Sequence, residues 1–335
     1  MKPNLSIIAE KTGYSIPTVS RVLSGKVKGS SKSVDKILRA ARMLGYNYAL
    51  PVYPNSVVLP KIVLVTEHFA EEFYSCLYES FDRISSKRNL DLKFQSLKYS
   101  NDIVNSLVLI SKQNHGIILM IPSLTVKQYV AIQSVLPDFP IVNMAPSEKI
   151  SFPAVTHDSY EGGKLAADCL ISTGYTSFGL ISGPNIKLES NLRRSGFIEG
   201  LRKHNFDLTW EYSGDYSFKA GENACQDLLS KNMNKLGIFA ANDQMALGFI
   251  HTALEKGRKI PGDLGIVGYD NMPYGQVYYP RLTTINTDLD ELCITAFDII
   301  IRLIQNPLEK PKPTTTVLSV DLIERKTHYY EAQNQ

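Results

Sequence analysis

Between Ser15 and Arg21 the chain sets hydroxyls, a guanidinium and two small apolar groups at helical spacing. Thr18, Ser20 and Arg21 suit phosphate oxygens or base edges, while Ile16 and Pro17 can touch thymine methyls, so this is chemistry for reading duplex DNA. Ser15, Ser24 and Lys28 complete the expected DNA-facing set. Residues for bond-breaking chemistry are not gathered in this way. The chain has no GxSxG, no GxxxxGK[ST] and no HExxH, and its histidines, His68, His115, His157, His204, His251 and His328, are scattered, so neither an enzyme nor a cofactor is expected. Cys76, Cys169, Cys225 and Cys293 are dispersed without a CxxC pair and read as small apolar residues rather than metal ligands.

The elements that must carry the DNA-facing residues are legible around them. Leu5 to Lys11 has the apolar spacing of a short helix with Asn4 as its N-cap, and Gly13 supplies the positive φ of a tight turn. Ser15 caps a second helix, Ile16 to Ser24, with Pro17 in its first turn and Val19, Val22 and Leu23 facing inward. A third helix is expected from Ser30 through Ile37, Leu38, Ala41 and Leu44 to Gly45. The first 50 residues hold nine basic groups against Glu10 and Asp35, an excess of seven in a chain whose total is +3, which leaves −4 for the remainder. A basic module on a mildly acidic body points to a polyanion partner for the module alone. No apolar run reaches the roughly 18 residues of a membrane helix, and the first residues lack the apolar core of a signal peptide, so a cytoplasmic, nucleoid-associated protein with no membrane partner is expected.

Ile8-Ala9-Glu10-Lys11-Thr12-Gly13-Tyr14-Ser15-Ile16-Pro17-Thr18-Val19-Ser20-Arg21-Val22-Leu23-Ser24-Gly25, followed by Ala41-Arg42-Met43-Leu44-Gly45-Tyr46, resembles the head of the lactose-repressor (LacI/GalR) family. The resemblance implies a hinge helix after the head, with a leucine wedged into the minor groove of bound DNA. Residues 47–60 depart from that pattern: three prolines and two adjacent valines disfavour a helix, leaving either a displaced hinge at Pro54-Asn55 with Leu59 as wedge or an extended linker.

From residue 61 onward, β-branched runs at Ile62 to Val65, Gly116 to Ile121, Ile141 to Met144, Phe178 to Ser182, Gly237 to Ala240 and Gly265 to Tyr269 alternate with amphipathic stretches. This pattern predicts doubly wound parallel sheets, and a body of this length predicts two lobes with a crevice between the strand ends. The expected fold is therefore a small all-α helix-turn-helix head (1–46), a linker (47–60) and a two-lobed α/β effector domain (61–335). Lobe one is placed at about 61–160 plus 288–305, and lobe two at about 161–284 plus 315–325.

Asp158-Ser159-Tyr160-Glu161-Gly162-Gly163, Gly179 to Pro184, Ala241 to Ala246, Ile260 to Leu264, Gly268-Tyr269-Asp270-Asn271 and Pro280 to Ile285 continue the family resemblance, which implies an effector domain of periplasmic-binding-protein type. By that resemblance Arg193, Asn242 and Asp270 bind the effector, with Tyr216 as an aromatic plate and Phe73 and Tyr74 from the first helix of lobe one. Each has an alternative: an Arg193–Asp270 structural ion pair, a helix cap at Asn242 or Asp243, and plain core for the three aromatics. Asp158 with Glu161 fits a capping box, and Ala145 stands where the family often has an acid.

The resemblance implies a sequence-specific transcriptional regulator, a repressor, controlled by a small molecule. A sugar or sugar derivative leads, with a purine or other planar ligand as the alternative. A solute-binding protein would have no use for the basic head. A homodimer is expected because a two-fold operator needs two heads, and Glu324 to Gln335 lacks a leucine heptad for further assembly.

Overall fold

The computed structural model describes residues 4–23, 33, 36–37, 40–41, 44, 59–67, 71–97, 100, 102–145, 148, 151–233, 235–306 and 313–329. The chain forms two compact units, Met1–Leu59 with Arg83–Asp91, and Pro60–Asp82 with Leu92–Gln335.

In the first unit, α1 (Leu5–Thr12) opens on Asn4, whose side chain accepts the Ile7 N–H at 3.0 Å, and closes on Gly13 at φ 75°. That left-handed residue donates its N–H to the Ala9 carbonyl and turns the chain into α2 (Ile16–Leu23). Ile8, Ala9, Val19, Val22 and Leu23 pack with Ile37, Ala40 and Ala41 of the next helical stretch into one small core. Tyr14 pins that stretch by donating to Ser33 Oγ at 2.8 Å. Ser30, Leu38 and Gly45 of the expected third helix, and Pro54-Asn55 of the possible hinge, lie outside the described residues.

From Pro60 onward the chain forms two sheets, all in the second unit apart from Arg83–Asp91, which belongs to the first. In chain order its elements are β1 (Lys61–Thr66), α3 (Glu72–Arg88), β2 (Asp91–Ser96), α4 (Ile103–Ser111), β3 (Gly116–Met120), α5 (Val126–Val135), β4 (Ile141–Asn143) and β5 (Ala154–His157). Then come α6 (Ser159–Ser172), β6 (Phe178–Ser182), α7 (Leu188–Lys203), β7 (Leu208–Ser213), α8 (Phe218–Ser230), β8 (Leu236–Ala240) and α9 (Asp243–Glu255). The chain ends with β9 (Leu264–Asp270), α10 (Pro273–Val277), β10 (Thr283–Asn286), α11 (Leu289–Gln305), β11 (Thr315–Leu318) and β12 (Asp321–Ile323).

Lobe one is the sheet β11-β5-β4-β3-β1-β2 and lobe two is β12-β10-β9-β8-β6-β7. Apart from the antiparallel pair β10–β12, the registered strand pairs are parallel. In both sheets the order reverses at the first strand, which places a switch-point crevice at the C-terminal strand ends. The chain passes between lobes three times: from β5 to α6, which packs on β8 and β9; from β10 to α11, which packs on β3, β4 and β5; and from β11 to β12.

The expected two-lobed doubly wound architecture is present, and the six expected strands are its buried centre. One assignment needs correction. Residues 315–325 do not all belong to lobe two: Thr315–Leu318 pairs with Ala154–His157 in lobe one, and only Asp321–Ile323 joins β10. The run reads in sequence as one extended segment, and which edge each half covers is decided by the sheets. The capping box is also half made: Asp158 Oδ1 accepts the Glu161 N–H at 2.9 Å, but the Glu161 carboxylate turns to Lys164 Nζ at 2.9 Å.

Candidate functional site

A cleft of about 740 Å³, its open mouth included, lies between the two lobes. Its walls are the chain segments leaving the strand ends. Met120 ends β3 and Pro122 follows it, Met144 follows β4, and His157 ends β5. From lobe two, Lys187, Glu189 and Arg193 come from the β6–α7 connection and α7, Tyr216 follows β7, Asn242 follows β8, and Asp270 ends β9. Phe73 and Tyr74 enter from the first turn of α3, their rings edge to face at 5.5 Å.

All six residues expected to meet an effector line this cleft. Arg193 donates through Nη1 to the Ala241 carbonyl, brings Nη2 to 3.4 Å from Asp270 Oδ1, and lays its guanidinium carbon 3.6 Å from the Tyr269 ring centroid. The ion pair offered as the bland alternative therefore exists, and it is built into the cleft wall. Asn242 is the N-cap of α9: Oδ1 accepts the Met245 N–H at 2.9 Å and Nδ2 donates to the Tyr216 carbonyl at 2.9 Å. Its amide is thus occupied on both sides, and its effect on the cleft runs through Tyr216.

Tyr216 has φ 75° and Asp270 φ 106°, both in the left-handed region that non-glycine residues avoid. Strain of about 1–3 kcal/mol at each such residue collects where a site must be held in shape. Gly183 makes room for the Tyr216 ring, because a Cβ there would run into ring atoms. Close packing also seats Arg193: α6 and α7 cross at Gly163 and Gly196, where a Cβ on Gly163 would strike the Arg193 carbonyl and one on Gly196 the Tyr160 carbonyl.

Burial dominates the electrostatics. It pushes Asp270 up to about 7 against the lowering pull of Arg193, with Glu189 adding to the rise. Burial likewise raises Glu189, opposed by Arg193 and Lys187, and it holds the phenols of Tyr74 and Tyr216 above their ordinary range. Beneath the cleft, Asp243 is 1% exposed, accepts the Met272 N–H at 2.7 Å and the Thr284 hydroxyl, and is raised by burial and by Asp270. The lobes are also tied by Glu72 Oε1, which accepts the Tyr274 N–H at 2.8 Å.

In the head, Ser15, Ile16, Pro17, Ser20 and Arg21 are exposed and Thr18 is partly so, all away from the core side of α2. Ser15 Oγ lies 2.8 Å from Thr18 Oγ1 and accepts the Thr18 N–H at 3.4 Å, an N-cap for α2. Ser24 and Lys28 lie outside the described residues. Among the described residues no three His, Cys, Asp or Glu side chains gather as a metal site, and no helix is long and apolar enough to cross a membrane.

The chain is 28% identical over 313 residues to the ribose operon repressor of Escherichia coli (strain K12), covering 90% of this chain and 92% of that one. To the lactose operon repressor of the same strain it is 25% identical over 334 residues, 98% of this chain and 91% of that one. Over nearly its whole length the chain is similar to repressors of the lactose-repressor family. Residues 167–328 match the model of a periplasmic binding protein-like domain. The lac repressor dimer solved with operator and the anti-inducer ONPF shares its fold, with a TM-score of 0.73 at 24% identity over 98% of this chain and 100% of that one.

Several residues of the cleft wall were not legible in the sequence. Glu71, Lys187, Glu189, His157 and Thr287 all line it. Glu189 carried the one usable signal, an acid four residues before Arg193 on the same helix face. The others come from loops and strand ends, where spacing says nothing about direction.

Proposed function

We propose that this chain is a transcriptional repressor that binds operator DNA through its head and changes its affinity when a sugar-like effector occupies the cleft. The observation that carries the reading is that one chain holds both parts: an exposed Ser15–Arg21 face on a basic helix-turn-helix, and a cleft walled by Arg193, Asp270 and aromatic rings. In this reading residues 1–46 are the head, 47–60 the linker and 61–335 the effector domain of a cytoplasmic homodimer. Ser15, Ile16, Pro17, Thr18, Ser20, Arg21, Ser24 and Lys28 face DNA, and Phe73, Tyr74, Arg193, Tyr216, Asn242 and Asp270 shape the effector site.

The chemistry supports it. Aromatic rings take the C–H faces of a sugar while Arg193 and Asp270 offer donors and acceptors to its hydroxyls. Closure of the lobes on a ligand alters their relative orientation, and a coupling of about 1–3 kcal/mol would change operator affinity about 5- to 150-fold. No step here is catalytic.

Selection of bound fragments from genomic DNA, followed by affinity measurement with and without candidate sugars, tests the proposal. A two-fold symmetric site whose affinity moves with a sugar supports it. Binding without sequence preference, or a sequence-specific complex indifferent to every ligand that binds the protein, refutes it.

A further inference from the structure

We propose that the cleft selects a ligand carrying a protonated amine, of the amino-sugar class, and that Glu189 is the specificity-determining residue that receives the ammonium. The inference rests on the reading of the cleft as a sugar-like effector site and names what kind of sugar it takes.

Three carboxylates line the cleft, Glu71, Glu189 and Asp270, against the side-chain cations of Lys187 and Arg193. Arg193 is already engaged by the Ala241 carbonyl, Asp270 and the face of Tyr269. Lys187 Nζ stands 5.3 Å from the Tyr216 ring centroid. Two acidic oxygens are closed off from solvent and receive no hydrogen bond, Glu189 Oε2 and Asp270 Oδ1. A buried acceptor without a donor is costly, and more so when it is charged.

A neutral sugar hydroxyl can donate to one of these oxygens but brings no charge to the carboxylates. An ammonium brings up to three donors together with a positive charge, and the aromatic lining of Phe73, Tyr74 and Tyr216 also favours a cation. A carboxylate or phosphate on the ligand would add to the repulsion among Glu71, Glu189 and Asp270. Glu189 sits in the first turn of α7, so its carboxylate is fixed by the same helix that carries Arg193.

The test is calorimetric titration of the full chain with glucosamine, galactosamine and mannosamine, each beside its parent hexose, its N-acetyl derivative and its uronic acid. The expected result is that at least one hexosamine binds about tenfold or more tightly than its uncharged partners, the scale of a charge-assisted hydrogen bond. Glu189→Gln, checked for an unchanged melting transition, should bring amine and parent hexose to similar affinity. A parent hexose, N-acetyl sugar or uronic acid that binds as well as the amine overturns the assignment while leaving the sugar-sensor reading intact. A Glu189→Gln variant that keeps the full amine preference also overturns it, as does a panel in which no hexosamine binds. The operator measurements described above test the regulator reading independently.

Discussion

Arg193 and Asp270 face each other across 3.4 Å in the cleft, with the guanidinium of the first laid on the ring of Tyr269. Each is the other's main compensation for burial, so neither can be removed cleanly. Arg193→Ala should destabilise the protein by about 2 kcal/mol, below the 3–5 kcal/mol of a fixed buried charge because Asp270 can take a proton. It should also lose ligand-induced stabilisation. Urea unfolding at pH 8 with and without effector measures both, and an unchanged midpoint with a normal ligand shift would remove Arg193 from the site. Arg193→Lys should not restore binding, since an ammonium lacks the planar fork and the stacking face.

The same pair gives the stability a pH dependence of definite sign. Asp270 is pushed up to about 7 in the folded protein from an ordinary 3.8. Between those values the folded state holds a proton that the unfolded chain has released. The contribution is therefore full below about pH 4 and lost as the pH rises through about 7. The free protein should unfold at lower urea at pH 8 than at pH 5.5, and Asp270→Asn should flatten that slope. Glu189 and Asp243, also raised by burial, keep part of it. An identical slope in the variant would contradict the assignment.

Glu72 and Tyr274 lie 202 residues apart and join the lobes by one hydrogen bond to a carboxylate. The bond is solvent-accessible, so its worth is modest, on the order of 1 kcal/mol or less. Glu72→Ala should weaken effector binding by about fivefold or less, mostly through faster release, as stopped-flow dissociation would show. No change in release rate would mean that closure does not use this contact.

The α6–α7 crossing leaves no space at Gly196. Gly196→Ala should cost about 1–3 kcal/mol, the usual penalty of overpacking, because the colliding atom is the backbone oxygen of Tyr160 and cannot swing aside. A melting temperature equal to the parent's would show that the helices separate freely.

Arg21 is exposed on the side of α2 turned away from its core, the side proposed to face DNA. Arg21→Ala should weaken operator binding and reduce the slope of log affinity against log salt by about one if the guanidinium meets a phosphate. Anisotropy titrations at several salt concentrations decide this, and a parallel line displaced downward would point to a base contact.

The central strands were legible because a strand covered on both faces is a continuous apolar run, as in Phe178–Ser182. The edge strands Asp91–Ser96 and Leu208–Ser213 were not, since they are largely exposed or half-buried and carry polar residues. Thr283–Asn286 is central yet escaped notice, because its buried threonines satisfy their hydroxyls internally, with Thr284 on Asp243 and Thr283 beside His328 Nδ1 at 2.7 Å. Arg193, Tyr216 and Asp270 could be named from the family resemblance alone. Lys187 could not, because what brings it to the cleft is the direction of the loop into α7, and no periodicity encodes that; Glu189 was reachable only through its place one turn before Arg193 on the same helix.

The three passages between lobes have a bearing on how the protein is made. Each lobe's sheet is finished by a strand from the far end of the chain, Thr315–Leu318 beside β5 and Asp321–Ile323 beside β10. During synthesis, the growing polypeptide carries two nearly complete sheets whose outer backbone groups stay unpaired until Thr315–Ile323 has been made. Such borders invite pairing with other chains. A truncation before Thr315 should therefore yield aggregates rather than two smaller soluble halves.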